Sequence, residues 1–289
     1  MSRIAHVNGA FVRLADAGVH IEDRGYQFAD GVYEVCLVLG GQFVDMDAHL
    51  DRLARSLKAL EIAAPMSRKA HEGQISELLR RNRLRDSLVY IQVTRGSAPR
   101  NHLFPTGDVP PSLVMTARRF DPAVSNATAK RGVNVITQPD IRWGRVDINS
   151  LSLLPNVLAK QAAAQAGAAE AWLVRDEAVT ECSASNAWIV DDSGAIHTHP
   201  LTNEILGGVT RARVVRCAAE LQIPIVETAF SLEDARGAAE AFMTSATQLV
   251  MPVVGIDGVQ IGDGAPGPVA IRLREAYVNS LNLSAESLN

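Results

Sequence analysis

The sequence predicts a mixed α/β or α+β fold of two domains, an N-terminal one over 1–120 and a C-terminal one over 121–289. Three observations predict it. The chain has 289 residues, 47% of them hydrophobic, which is enough for one large or two modest cores. Apolar residues switch repeatedly between strand-like runs and the three- and four-residue spacing of helices. Around 118–128 the chain turns polar and carries Asp121-Pro122, which reads as a loop and places the domain boundary there.

The elements follow in order. Residues 4–7 and 11–14 read as a hairpin closed by Asn8-Gly9, a pair that accepts the positive backbone angles of a two-residue turn. Residues 32–38, rich in β-formers, form a second hairpin with 42–44 through Gly40-Gly41. At 46–60 Leu50, Leu53, Leu57 and Leu60 fall on one helical face. A second helix covers 67–81, and 88–94 and 112–116 are strand runs. Beyond the boundary, strands at 133–137, 171–174, 188–190, 223–226 and 240–244 alternate with helices at 153–166, 210–221, 231–236 and 266–281. Gly167 ends the first of these helices.

Composition excludes several classes. A net charge of -4 and a pI near 6.0 give no reason to expect nucleic acid or an anionic membrane as partner. No apolar run is long enough for a membrane span, and 1–6 lack the apolar stretch of a secretory leader. Cys36, Cys182 and Cys217 are few, odd in number and far apart. They read as reduced, buried thiols of a cytoplasmic protein.

Four polar clusters interrupt the apolar runs. Residues 22–31 read as a solvated connection or as a functional loop. The segment from Arg95 to His102 holds Arg100 and His102 two residues apart; it is a surface basic loop or a pair aimed at one anion, since an arginine fork matches a carboxylate. Gly207-Gly208-Val209-Thr210 leads into a helix, where exposed N–H groups and the dipole suit a phosphate. The stretch 180–186 sets Glu181 among small hydroxyl residues, as a turn or as a carboxylate site.

Together these clusters resemble the fold-type-IV pyridoxal-phosphate-dependent aminotransferases, and within them the D-amino acid transaminases. The likeness extends from Asn8-Gly9 to the C-terminal helix. It is carried by Glu22-Asp23-Arg24-Gly25-Tyr26-Gln27-Phe28, Asp30-Gly31-Val32-Tyr33-Glu34-Val35, and His49-Leu50-Asp51-Arg52-Leu53. Further on come Gln92-Val93-Thr94-Arg95-Gly96, Asp140-Ile141-Arg142-Trp143, Leu158-Ala159-Lys160-Gln161, Val179-Thr180-Glu181, Ser185-Asn186 and Gly208-Val209-Thr210-Arg211.

The resemblance implies roles. Arg52, Val209 and Thr210 match phosphate-binding positions. Glu181 matches the carboxylate that pairs with the pyridine nitrogen and keeps the ring an electron sink. Leu206 matches an apolar residue on the ring face. Tyr33, Arg100 and His102 match residues around the substrate carboxylate, and the Arg-x-His pair favours D-amino acid transaminases over branched-chain and aminodeoxychorismate relatives. Ser245 and Ala246 align with a hydroxyl-rich stretch near the phosphate, from which Ala246 departs. The implied activity is amino transfer between D-amino acids such as D-alanine and 2-oxo acids such as 2-oxoglutarate, in a homodimer. The alternatives are an (R)-amine or branched-chain transaminase, an aminodeoxychorismate lyase, and a non-catalytic vitamin B6-binding homologue.

One departure is decisive. The family's Asp-Ile-Lys-Ser-Leu stretch reads Asp147-Ile148-Asn149-Ser150-Leu151 here, so Asn149 stands where the Schiff-base lysine belongs. An amide is neither a useful nucleophile nor a base near neutral pH. The chain has four lysines, Lys58, Lys69, Lys130 and Lys160. Lys160, about three turns along the next helix, matches a separate family lysine and reads as structural. The expectation is therefore an inactive or very slow chain that holds pyridoxal phosphate non-covalently, as pyridoxamine phosphate, or as an external aldimine. Both a deliberate substitution and a natural loss of transamination fit that departure.

Overall fold

The structure is a computed structural model that describes residues 3–281. The described residues divide into two compact units, one formed by 3–121 with 148–152 and the other by 122–147 with 153–281. The short segment carrying Asn149 thus belongs to the first unit.

The first unit contains strands β1 (Ile4–Val7), β2 (Ala10–Arg13), β3 (Gly31–Leu39), β4 (Gln42–Phe43), β5 (Ser87–Thr94) and β6 (Ser112–Arg119), with helices α1 (Arg24–Phe28), α2 (Met46–Ala59) and α3 (Arg68–Asn82). The strands form one antiparallel sheet in the order β2-β1-β6-β5-β3-β4. Asn8 and Gly9 both have positive φ, 48° and 90°, the geometry of the tight hairpin turn expected there. Leu50, Leu53 and Leu57 on α2 and Ile75, Leu78 and Leu79 on α3 join Val89, Ile91, Val93 and Met115 of the sheet in one core. The Ser67 hydroxyl caps α3 by accepting from the Ala70 N–H at 3.3 Å.

The second unit contains helices α4 (Pro122–Arg131), α5 (Leu154–Gln165), α6 (Val209–Glu220), α7 (Leu232–Gly237) and α8 (Pro268–Asn279). Its strands are β7 (Val133–Pro139), β8 (Glu170–Arg175), β9 (Ala178–Cys182), β10 (Asn186–Val190), β11 (Ile196–Thr198), β12 (Ile225–Glu227), β13 (Phe230–Ser231), β14 (Glu240–Ser245), β15 (Leu249–Ile256) and β16 (Val259–Gln260). The main order is β12-β11-β10-β14-β15-β7-β8-β9-β13, with β16 paired to β15. It is a mixed sheet, with β15, β7 and β8 running parallel. Trp172, Phe230, Met243 and Met251 fill one face, and Ala159 and Ala163 of α5 pack on Ala171 and Leu173. Cys36, Cys182 and Cys217 are all free and buried. Among the described residues, no helix is long and apolar enough to cross a membrane.

Three local expectations change. The stretch expected as a loop at 118–128 is strand to Arg119 and then helix from Pro122. Proline tolerates the first helical turn, where its missing N–H has no partner to lose, and the alanines beyond it favour helix. The segment 22–31 contains α1, begun by Asp23, whose side chain accepts from the Gly25 N–H at 2.9 Å. Residues 180–182 are strand rather than turn, closing β9.

Candidate active site

In the first unit the candidate residues gather on β3, α2 and the 148–152 segment. That segment lies against the start of β3: the Tyr33 N–H donates to the Asn149 carbonyl at 3.0 Å, and the Leu151 N–H to the Gly31 carbonyl at 3.0 Å. Asn149 is therefore fixed by its backbone. Its side-chain Nδ2 donates to the Tyr33 carbonyl at 2.6 Å and lies 3.4 Å from Oε1 of Glu34. Its own N–H donates to the Ser56 hydroxyl on α2 at 3.3 Å.

Glu34 is the hub of this group, and sequence reasoning assigned it no role beyond its motif. Its side chain is fully buried. Arg52 clasps it with Nε on Oε1 at 2.7 Å and Nη2 on Oε2 at 2.8 Å. His49, one helical turn away, places Nδ1 2.7 Å from Oε2. Burial pushes the carboxyl up, but the Arg52 charge and the bonds from Arg52 and His49 outweigh it and hold the carboxyl down at about 2. Arg52 thus sits in a fixed orientation rather than as a loose cation.

Two neighbouring expectations resolve differently. Arg95 is buried, not part of a surface basic loop. Asp30 receives Nε of Arg24 at 2.7 Å and Nε of Arg95 at 2.8 Å, so the 22–31 cluster is an ion-pair lattice. Arg100 and His102 are exposed and meet on Phe28: the guanidinium lies 5.0 Å from that ring's centre and the imidazole 5.3 Å. Tyr33 is half-buried on β3, its ring 5.9 Å from that of Tyr90.

In the second unit Glu181 is the penultimate residue of β9 and is walled in by donors. Asn186 Nδ2, at the start of β10, donates to Oε2 at 2.9 Å, and the Leu206 N–H reaches both carboxylate oxygens at 3.2 Å. Arg142 donates through Nη1 to Oε1. Burial raises the Glu181 carboxyl to about 7, and the Arg142 charge opposes that rise. Asn186 also donates to the Leu206 carbonyl at 2.9 Å. Leu206 is thereby held through both its N–H and its carbonyl, a role for Asn186 that its motif alone did not disclose.

Gly208 precedes α6 with extended backbone and no side-chain cap. A Cβ there would stand 2.2 Å from Oδ1 of Asn186, so the close packing of this turn on β10 requires glycine. Val209 and Thr210 open the helix and are buried. The first N–H groups of a helix have no partner within it, so this end with the Thr210 hydroxyl suits an anion. Ser245 ends β14, and its hydroxyl lies 3.2 Å from that of Thr247. Ala246 offers no hydroxyl, but Thr247, not singled out from the sequence, supplies one next to it.

Known proteins share this arrangement of elements. Amino-transferase class IV matches residues 31–256. The chain is 43% identical over 276 residues to the D-alanine aminotransferase of Listeria monocytogenes serotype 4b, covering 95% of each chain. It is 40% identical over 271 residues to that of Staphylococcus haemolyticus, covering 94% of this chain and 95% of the relative. The structure superposes on the T.th. branched-chain amino acid aminotransferase with pyridoxamine 5'-phosphate at a TM-score of 0.90 and 26% identity, covering 99% and 97% of the two chains. The branched-chain enzyme of Escherichia coli, at 22% identity and a TM-score of 0.86 over 97% and 95%, shares the fold. The fold is accordingly that of the fold-type-IV aminotransferases, and the chain belongs to the amino-transferase class IV family.

Proposed function

We propose that this chain is a pyridoxal-phosphate-binding D-amino acid transaminase whose turnover is impaired by Asn149. The parent reaction moves an amino group between a D-amino acid such as D-alanine and a 2-oxo acid such as 2-oxoglutarate. The observation that carries the cofactor is Glu181, a buried carboxyl fixed by Asn186, Leu206 and Arg142. Carboxylates this buried are costly unless their oxygens are matched. The extent of likeness to D-alanine aminotransferases supports the substrate class.

Each unit, taken by itself, carries groups that fit part of the cofactor. An uncapped helix start at Val209 and Thr210, with the Ser245 and Thr247 hydroxyls, offers donors for a phosphate. Arg52, oriented by Glu34, adds a cation. Glu181 accepts from a protonated ring nitrogen, and Leu206 packs on the ring. Tyr33, Arg100 and His102 hold the substrate carboxylate. When bound, pyridoxal phosphate supplies the electron sink that makes the substrate Cα–H acidic. What is missing is the amine that attaches the cofactor and carries the proton at Cα. The Asn149 amide does neither, and its Nδ2 is already engaged by the Tyr33 carbonyl.

The same observation favours a second reading, a non-catalytic vitamin B6-binding homologue, because Asn149 is well accommodated where it stands. We include a homodimer in the proposal. Exposed Leu154, Val157 and Leu158 make an apolar stripe on α5, a feature that marks interaction surfaces. The buried free thiols fit a reducing cytoplasm. The test is saturable binding of pyridoxal phosphate to the purified chain, followed by assay of Asn149→Lys on D-alanine, L-leucine, (R)-phenylethylamine and aminodeoxychorismate. Absence of saturable binding ends the proposal, and preference for another substrate moves it to that relative's activity.

A further inference from the structure

In the stretch Asp140-Ile141-Arg142-Trp143, the function above uses Arg142 only as a contact of Glu181 and gives Asp140 no role. The stretch follows β7, and its two charged side chains are buried. Asp140 receives Nε of Arg142 on Oδ1 at 2.9 Å and Nη2 on Oδ2 at 2.7 Å. The Arg142 N–H adds a bond to Oδ1 at 3.1 Å. The Thr180 hydroxyl donates to Oδ2 at 2.8 Å, and Arg175 Nη2 lies 3.1 Å from Oδ1. Nη2 of Arg142 also donates to the Glu204 carbonyl at 3.1 Å. The guanidinium is thus held on two of its three nitrogens, and the third, Nη1, is aimed at Glu181.

We propose that Asp140 and Arg142 form a positioning clamp that holds Glu181 in one orientation and favours its anionic form for the cofactor's ring nitrogen. Arg142 is a positioning residue, acting on the ring only through Glu181, and the inference rests on the function proposed above. The physical case is a balance. A fully buried carboxyl favours its neutral form, and a neutral carboxyl no longer stabilises a protonated ring. Among the described residues, Nη1 supplies the one cation in contact with Glu181. Asp140 works in both senses: its negative charge opposes the Glu181 anion, while its bidentate grip fixes Arg142 where the attraction is strongest. Bidentate pairing gives that direction as well as strength.

The other charged groups around Glu181 are further removed. Arg175 lies on β8 beyond Asp140, and its Nη1 lies 3.9 Å from Glu204. Glu204 in turn lies 3.5 Å from His199. Cys182, next along β9, has its thiol pushed up by burial and stays neutral. None of these touches the Glu181 carboxylate, so removing Arg142 leaves it without a cation among the described residues.

The test uses the full chain with and without cofactor. Carboxyl-labelled glutamate is followed by carbon NMR, and the Glu181 signal is assigned by its loss in Glu181→Gln. In cofactor-free protein, Arg142→Met is expected to raise the Glu181 titration midpoint by at least one pH unit, about tenfold in proton affinity. Arg142→Lys is expected to recover part of that shift. In loaded protein, ring-nitrogen-labelled pyridoxal phosphate is expected to report a protonated nitrogen in the parent and loss of that signature in Arg142→Met. A Glu181 midpoint that is unmoved in folded Arg142→Met overturns the clamp. So does failure of both variants to fold, which makes Arg142 a structural residue. Should the labelled cofactor not bind the parent while the midpoint still moves with Arg142, the function proposed above fails and the clamp stands.

Discussion

The side-chain amide of Asn149 donates to the backbone carbonyl of Tyr33 across 2.6 Å, in a segment whose own carbonyl accepts the Tyr33 N–H. The position is therefore a stable, hydrogen-bonded part of the first unit and not a gap. Among the described residues, no lysine amine hydrogen-bonds Asn149. Lys160 is engaged elsewhere, its Nζ donating to the Ala169 carbonyl at 2.6 Å and pairing with Glu170 at 3.1 Å. Borohydride treatment of the chain with pyridoxal phosphate, followed by peptide mapping, is expected to show no site-specific pyridoxyl-lysine. A stoichiometric adduct on any one of the four lysines would falsify this.

The Glu34–Arg52–His49 cluster predicts a stability effect. Glu34→Gln leaves Arg52 buried without its counter-ion. Breaking a buried pair in this way typically costs about 3–5 kcal/mol, read as a lower urea midpoint at neutral pH. The pH dependence follows from the low carboxyl value, about 2 against an ordinary 4.5. A depressed acid stabilises the fold above 4.5, and that contribution is lost as pH falls from 4.5 through 2. Glu34→Gln is expected to remove this acid-sensitive component. An equally steep acid decline in the variant would assign it to other carboxylates.

What could be read from the sequence was local. Asn8-Gly9 and the leucines of α2 carry their structure in their own spacing, and both elements stand where expected. Strand β15 escaped because Pro252 and Gly255 break its apolar run, yet it lies between β14 and β7 with an irregular register at Val253 and Gly255. A proline inside a sheet is tolerated at such irregularities. The partner of Arg52 lies on a strand 18 residues back, and that of Arg142 is 39 residues ahead. Pairing at that range has no local signature, so the motifs could be named while their geometry could not.

His6 is fully buried on β1, and neither ring nitrogen has a hydrogen-bond partner among the described residues. Burial, and then the charge of nearby His71, lower its pKa below 6.5; burial also lowers that of His71. A histidine with a depressed folded value stabilises the fold above its unfolded pKa. That stability is lost as pH falls from about 6.5 toward the folded value. Unfolding midpoints measured from about pH 7.5 to about pH 5 are expected to fall on the acid side, and His6→Leu to flatten that fall. Parallel curves for parent and variant would remove His6 as a source.

Asn149→Lys is the most demanding prediction, because it asks whether one group is all that was lost. The backbone at 149 is held by Tyr33, Ser56 and the bridge of Val32 to Ser150, so a longer side chain inherits a fixed starting point. The Glu181 carboxyl, the Thr210 helix start and the Arg52–Glu34 pair are present. With orientation supplied, the new amine adds attachment of the cofactor and a positioned base. A positioned base alone is typically worth about 10²–10⁴-fold. Pyruvate release from D-alanine with 2-oxoglutarate is therefore expected to rise at least about 100-fold over the parent chain. The Glu34 carboxylate, 3.4 Å from the present amide nitrogen, is already neutralised by Arg52. The lysine is thus not locked in a tight private ion pair and stays available for exchange. A gain below about tenfold, with cofactor bound to both proteins, would mean that other parts of the site have drifted as well. The non-catalytic B6-binding reading would then replace the impaired-transaminase one.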